Sequence, residues 1–407
     1  MKAYILAAGK GTRMQPLTEN TPKPLLPVAG KPILQHNVDN LKDLVDEIII
    51  LVGWRGRRIQ ESIEGNGVTL EYIRQEKPLG TADAVRQVER YIQEPFICMN
   101  GDVILSKTGL REFVNRFRDS TRSIMGVVKV DDPSNYGLIE VEDDMVKDII
   151  EKPKEPKGDL VNAGVYGFTQ DIFHAVEKTT LSPRREYEIT DSLKLLMKDR
   201  ALGYHELERG HWIEISRPWD LLDANRRVID ILDLEEKMDG IVEDNVHMEG
   251  WVSLEEGARL REGTYIIGPV HIGKDADIGP NAFIRGCTSI GPGCRIGAAV
   301  EIKNSIVMEN SNIPHHNYVG DSIIGRNCNF GCGTKVANLR LDGKNIVVTH
   351  MGKKVDTGMR KLGVIMGDDV KTGINSMINV GTVIGQGSFI GPGARVSGEM
   401  GNKSRIQ

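Results

Sequence analysis

Cysteine is scarce in this sequence, positive charge is not in surplus, and long hydrophobic runs are missing. Each shortage argues against a class of protein. The five cysteines, Cys98, Cys287, Cys294, Cys328 and Cys332, are odd in number and never spaced CxxC, which argues against a disulfide framework and against a zinc site. The formal net charge is -5, so the basic excess of a general nucleic-acid binder is absent. Phosphate-bearing substrates stay open, because a few local Lys and Arg side chains decide those. No uninterrupted apolar stretch approaches the roughly 18 residues that a membrane span needs. The opening MKAYILAAGKGTRM has one Lys and then a short apolar run broken by glycines, which is not the pattern of a signal peptide. A cytoplasmic protein is expected.

Glycine, by contrast, is abundant. There are 45, concentrated after residue 262, so the two halves of the chain are built differently. At 407 residues the chain is too long for one ordinary core, and two domains are expected. In the first half, strand patterns at Ala3 to Ala7, Glu47 to Val52, Leu70 to Ile73 and Phe96 to Met99 alternate with helical patterns such as Ile33 to Leu44 and Ala82 to Tyr91. That alternation predicts a Rossmann-like α/β domain with a mostly parallel sheet, its ligand beyond the carboxyl ends of the strands. From Trp219 to Met238 the pattern is helical, and Asp239-Gly240 breaks it. The expected division is 1–226 for the first domain, a linker helix over 227–240, and 241–407 for the second.

The second half repeats. Ile272, Ile278, Ile284, Ile290, Ile296 and Ile302 are six residues apart, with Gly directly after four of them. The phase slips by one, resumes through Val307, Ile313 and Val319, slips again, and runs through Ile324, Phe330 and Val336. A last run comprises Met366, Thr372, Ile378, Ile384, Ile390 and Val396. A six-residue period predicts a left-handed parallel β-helix, each turn having three flat faces with one side chain per face pointing inward. The polar stretch 338–361 lacks the period and is expected to project as a loop, a position where function is common.

The chemistry of the first half sits in Leu6-Ala7-Ala8-Gly9-Lys10-Gly11-Thr12-Arg13-Met14, followed by Pro22-Lys23-Pro24. Gly9 and Gly11 let backbone N–H groups approach phosphate oxygens, and Arg13 and Lys23 supply cations. A dinucleotide fingerprint needs Gly at 14, where Met stands, and a Walker A loop needs Gly-Lys-Ser/Thr, which is absent here. The segment resembles the signature of the sugar-1-phosphate nucleotidylyltransferases, and further motifs follow in that family's order. The resemblance implies nucleotide binding by Leu6, Ala8, Gly9, Gly11, Thr12, Gln75, Gly80 and Thr81, and catalytic roles for Arg13 and Lys23. It implies sugar-phosphate contacts from Gly137, Glu151 and Asn162, and a Mg²⁺ site at Asp102 and Glu214.

Glu214 stands where that family commonly has Asp, and Ser216 where it has Gly. The added methylene shifts the carboxylate, and Mg²⁺ is strict about octahedral geometry at about 2.1 Å, so a reduced rate or altered metal preference is expected. The reaction the family implies is in-line attack of a sugar-1-phosphate oxygen on the α-phosphorus of UTP or dTTP. Its nucleophile is already anionic. Catalysis then rests on positioning and on charge neutralisation by the metal, Arg13 and Lys23.

In the second half, PHHNYVGD over 314–321 and NFGCGT over 329–334, with Asn338, resemble the acetyltransferase half of the bifunctional enzymes that make UDP-N-acetylglucosamine. The resemblance implies sugar-phosphate binding by Arg285, Lys303, Tyr318 and Asn329. It implies catalysis by His315 and Asn338, acetyl-CoA contacts at Cys332 and Lys361, and a homotrimer. An aminosugar attacks a thioester only as the free amine, and an imidazole titrates in the range needed to take its proton. The Asn338 amide, or a backbone N–H near Cys332, is expected to stabilise the tetrahedral oxyanion. If the histidine segment is extended, His316 points away from His315.

The expected activity is acetylation of glucosamine-1-phosphate followed by coupling to UTP. Two alternatives stay open. One is a glucose-1-phosphate thymidylyl- or uridylyltransferase with a non-catalytic β-helix. The other is a regulatory subunit like the nucleotidylyltransferase-like chains of the translation-initiation exchange factor. Those chains tend to lose the phosphate loop and metal residues, whereas Gly9, Gly11, Arg13, Lys23 and Asp102 are present here.

Overall fold

The computed structural model describes residues 1–231 and 236–407. The chain divides into two compact units. The first holds Met1–Lys10, Pro22–Leu25 and Pro32–Glu214, and the second holds Gly11–Thr21, Leu26–Lys31 and Ile215–Gln407.

A mixed sheet organises the first unit. Its strand order is Thr69–Arg74, Glu47–Val52, Lys2–Ala7, Phe96–Asn100, Leu160–Phe168, Ser123–Lys129, Leu202–Leu207, Met145–Glu151 and Gly137–Glu142. The first four run parallel. Successive residues point to opposite faces of a strand, and both faces are apolar here. Ala3, Ile5, Ile48 and Ile50 join a core with Leu34 and Val38 of the helix Ile33–Leu41. Tyr4, Ile49 and Leu51 join another with Ala82 and Val85 of the helix Thr81–Arg86. The parallel arrangement thus holds for the half of the sheet in which Lys2–Ala7 leads to Gly9. Farther on, Leu160–Phe168 pairs antiparallel with both its neighbours, and Gly137–Glu142 pairs antiparallel with Met145–Glu151. The last pair is joined by a two-residue turn, far too short for a parallel crossover.

The second unit contains a left-handed parallel β-helix with three faces, two of them continuous eight-stranded parallel sheets and the third a five- and a three-stranded sheet bridged through Asn329. The aliphatic positions of the six-residue period, from Ile272 to Val396, lie in one continuous core, with Thr372 buried beside them. Coils stack in register, as Ile284 on Ile302 on Val319 down one face. The β-helix also begins earlier than the glycine pattern indicates. Met248, Leu254, Leu260 and Ile266 continue the period backwards on strands of the same sheets, although none is followed by Gly.

The helical pattern read to Met238 ends sooner. A helix spans Asp220–Ile231, and the part of the expected linker helix over 232–235 lies outside the described residues. Met238 already bridges Leu254 as part of the first coil, where Asp239 N–H donates to the Leu254 carbonyl at 2.9 Å. Pairing with the coil gives this backbone the partners a helix would have supplied. Asn225, on the Asp220–Ile231 helix, is fully buried. Its Oδ1 accepts from Ala29 N–H and Ser289 Oγ at 2.8 and 2.7 Å, and its Nδ2 donates to the Cys287 carbonyl at 2.9 Å.

The segment 338–361 is not an open projecting loop. Val347–His350 and Lys353–Asp356 form an antiparallel hairpin. Ile346 and Val348 are buried while Val347 is exposed, so the hairpin packs its apolar face down. His350 Nε2 donates to the Gln15 carbonyl at 2.7 Å, and Arg326 Nη1 donates to Thr21 Oγ1 at 2.8 Å. Both contacts tie the segment 11–21 into this unit.

Candidate active sites

The first constellation forms at strand ends. Gly101 N–H donates to the Leu6 carbonyl at 3.0 Å. A Cβ on Gly101 would stand 2.9 Å from that oxygen, so only glycine lets the two strand ends approach this closely. Asp102 follows at once, and its Oδ2 accepts from the nearly buried Lys23 Nζ at 2.7 Å. Val103–Leu105 pairs antiparallel with Trp212–Glu214, setting Glu214 directly opposite Val103. Asp102 and Glu214 are thereby brought to the same end of one short ribbon. Two carboxylates form a hard oxygen donor set that suits a divalent cation completed by phosphate oxygens and water. Among the described residues, no group of three or more His, Cys, Asp or Glu side chains is placed to hold a metal. The remaining ligands would therefore come from substrate and water.

The other expected residues of this half are positioned separately. Gln75 lies at the carboxyl end of Thr69–Arg74, its Nε2 donating to Asp83 at 3.0 Å. Asp83 is a buried carboxylate missed in the sequence reading, and it also accepts from Arg86 at 2.7 Å. Gly80 has a φ of +118° and lies against the Tyr187 backbone, leaving no room for a Cβ. Thr81 Oγ1 accepts from Ile189 N–H at 2.8 Å. Gly137 and Glu151 face each other across a strand pair. Asn162 Oδ1 accepts from Gly164 N–H at 2.9 Å, and its Nδ2 donates to Tyr166 Oη at 2.8 Å. Leu6 lies in the first strand, and Ala8 and Gly9 follow it, all within the first unit. Gly11, Thr12 and Arg13 group with the second unit, Arg13 being exposed in a short 3-10 turn over Thr12–Met14.

The second constellation lies on one face of the β-helix. Strands Phe283–Arg285, Glu301–Lys303 and Tyr318–Gly320 stack in register, so Arg285 sits over Lys303, and Glu301 over Tyr318. Because Ile284, Ile302 and Val319 point inward, their neighbours all face outward. Arg285 Nη1 donates to Glu301 at 2.9 Å. Asn338 Nδ2 lies 3.2 Å from Tyr318 Oη. Leu362 N–H donates to the Asn338 carbonyl at 3.0 Å, and Lys361 bridges Leu339. The inserted hairpin is thus pinched at its base, which keeps Lys361 beside Asn338.

His315 lies at the preceding corner of the same face and is exposed. The segment there is a turn and not extended, with His316 at φ +54°. The opposite-pointing geometry expected for the two histidines therefore does not apply. The turn exists because the β-helix must change face between Ile313 and Tyr318. Gly333 N–H donates to the His315 carbonyl at 3.2 Å, so the exposed Cys332 stacks one coil along the same corner. Asn329 is on a different sheet, bridging Asn312 and Lys371, and is not brought to Arg285 and Lys303. Cys294 and Cys328 are buried, which pushes each thiol up to about 12 and leaves them inert.

Comparison with known proteins matches the nucleotidyl transferase family over residues 2–231 and the GMPPB C-terminal domain over residues 266–360. The bifunctional protein GlmU of Methanocaldococcus jannaschii is 41% identical over 96% of this chain and 93% of its own length. The bifunctional sugar-1-phosphate nucleotidylyltransferase/acetyltransferase of Sulfurisphaera tokodaii is 38% identical over 98% of each chain. This chain belongs to the bifunctional GlmU family. A crystal structure described as a glucose-1-phosphate thymidylyltransferase from Bacillus anthracis is 31% identical, with a TM-score of 0.53, covering 58% of this chain and 98% of that one. In this GlmU-family chain the first matched region contains Asp102 and Glu214. The second runs from before Arg285 past Asn338.

Proposed function

We propose that the chain acetylates glucosamine-1-phosphate with acetyl-CoA and couples the resulting N-acetylglucosamine-1-phosphate to UTP, releasing pyrophosphate and UDP-N-acetylglucosamine. The observation that carries this reading is the presence of both constellations, Lys23 with Asp102 and Glu214, and Arg285 with Lys303, Tyr318 and Asn338, in a chain alignable almost end to end with bifunctional relatives. Nucleotidyl transfer is assigned to 1–226 and acetyl transfer to 241–407, with 227–240 connecting them.

For nucleotidyl transfer, Leu6, Ala8, Gly9, Gly11 and Thr12 approach the triphosphate, and Gln75, Gly80 and Thr81 recognise the base. Gly137, Glu151 and Asn162 hold the sugar. Asp102 and Glu214 would hold Mg²⁺, which would supply positive charge against the phosphates. Arg13 and Lys23 add positive charge for the attacking sugar phosphate and the departing pyrophosphate. Lys23 is poised for this by its pairing with Asp102.

For acetyl transfer, Arg285 and Lys303 hold the 1-phosphate, with Tyr318 on the same face and Asn329 reaching a site shared between chains. His315 takes the proton from the attacking amine as the C–N bond forms. The thiolate of coenzyme A leaves when the tetrahedral adduct collapses. Cys332 and Lys361 contact acetyl-CoA. A homotrimer is proposed, because His315, Asn329 and Arg285 occupy different faces and corners of one β-helix. A cytoplasmic setting fits five cysteines that are all free. Among the described residues, no helix is long and apolar enough to cross a membrane.

The test is a substrate panel of four nucleoside triphosphates against aminosugar, N-acetylated and neutral sugar-1-phosphates, with and without acetyl-CoA. Thiol release only with glucosamine-1-phosphate, and pyrophosphate release best with UTP and the N-acetylated sugar, is expected. Pyrophosphate release with glucose-1-phosphate, and no thiol release with any aminosugar, would replace this reading with that of a transferase bearing an inert β-helix.

A further inference from the structure

We propose that Asp321 is a positioning residue for acetyl transfer, orienting the Asn338 amide so that its carbonyl oxygen, and not its N–H, is offered to the substrate. The inference rests on the acetyltransferase reading of this face.

Asp321 follows the strand Tyr318–Gly320 directly, with a φ of +49°, and only 4% of it is exposed. Its carboxylate collects donors from three side chains. Oδ1 accepts from Asn304 Nδ2 at 2.7 Å. Oδ2 accepts from Asn338 Nδ2 at 2.5 Å and lies 3.4 Å from Lys303 Nζ. Its backbone is held as well, with its N–H donating to the Lys303 carbonyl and its own carbonyl accepting from Gly363 N–H, both at 2.8 Å. One buried carboxylate therefore links two coils, the phosphate-binding lysine and the base of the inserted hairpin.

The chemistry of the pair fixes the orientation of Asn338. An ionised carboxylate can only accept hydrogen bonds, so the end of the amide facing Asp321 must be the NH₂ group. That group has two N–H bonds. One goes to Asp321, and the other lies toward Tyr318 Oη at 3.2 Å. The polar atom left for a ligand is Oδ1, an acceptor. An acceptor here matches an N–H of the substrate, such as the amine that is to be acetylated, and does not match a developing oxyanion. The role first expected for Asn338, donation to the oxyanion, is replaced by recognition of the amine.

Exchanging the two side chains tests this. Asn338→Asp sets two carboxylates against each other, a pairing that disfavours ionisation of both, and should lower kcat/KM for acetyl transfer by about a hundredfold. Asp321→Asn combined with Asn338→Asp restores one donor and one acceptor with the roles reversed, and still presents an oxygen outward. That double variant should recover to within about tenfold of the wild type. Nucleotidyl transfer should be unchanged throughout, and serves as the control for folding. A double variant that folds but stays a hundredfold or more below the wild type overturns the proposal, because it shows that an Asn338 N–H is required. If Asn338→Asp does not fold, the double variant alone decides by the same limits. Absence of acetyl transfer in the wild type overturns instead the functional reading beneath the proposal.

Discussion

The two units place their functional side chains by different means. In the β-helix, position follows from spacing, since residues one coil apart stack. Arg285 over Lys303 obeys the same register as Ile284 over Ile302. In the sheet unit, Asp102 and Glu214 come to the same end of one ribbon although more than a hundred residues separate them, because two short strands pair antiparallel. A repeat makes a site readable along the chain. A sheet hides its site in the topology. The same contrast extends to tolerance: a β-helix column is set by many stacked coils, whereas the carboxylate pair depends on one short ribbon.

The strongest challenge to this comparison is His315, which stands at a corner and not in a column. His315→Ala is expected to lower acetyl transfer by about 10² to 10⁴, leaving nucleotidyl transfer unchanged. Wild-type acetyl transfer retained in His315→Ala would assign the base elsewhere, with the neighbouring His316 the first alternative.

A smaller effect is expected at the ribbon. Glu214→Asp shortens the carboxylate by one methylene but keeps its place opposite Val103. Nucleotidyl transfer should stay within about tenfold of the wild type, or about 1.4 kcal/mol. Full activity in Glu214→Ala would remove Glu214 from the metal site.

The smallest effect concerns acid stability of the second unit. The His271 hydrogen bond, at 3.3 Å, holds the Glu255 carboxyl below its ordinary range. A depressed carboxyl contributes stability at pH values above the usual glutamate range and loses it as the pH falls through the folded-state value. Thermal unfolding of Glu255→Gln should therefore show a smaller acid-induced fall than the wild type. An equal fall in both would place the acid sensitivity at other carboxylates.

Much of this is legible in the amino-acid sequence. The large aliphatic positions of the β-helix from Ile272 to Val396 follow from the six-residue period, whereas smaller inward side chains between them, such as Ala276, Cys294 and Cys328, were not read from it. The coils before Ile272 keep the period, but Met248, Leu254 and Leu260 lack the following glycines, which obscured them. The glycine loop and the Lys23, Asp102 and Glu214 set were readable as motifs, while the ion pair and the ribbon joining them needed the fold. Asp83 was not singled out, and Asp321, although it ends the 314–321 motif, was given no role, because a single buried carboxylate has no sequence signature of its own. What marks each is its donors, brought from neighbouring segments by folding. The hairpin at 347–356 escaped because polar composition concealed the alternation of buried Ile346 and Val348 with exposed Val347.

The claim at the centre of this account is that one chain holds two separable reactions, joined by the N-acetylated sugar phosphate. Asp102→Ala, given glucosamine-1-phosphate, acetyl-CoA, UTP and Mg²⁺, tests it in a single chromatographic time course. The expected result is accumulation of N-acetylglucosamine-1-phosphate at the wild-type rate, with UDP-N-acetylglucosamine formed at least about a thousandfold more slowly. Loss of both products from a folded variant, or continued formation of the nucleotide sugar, would contradict the account.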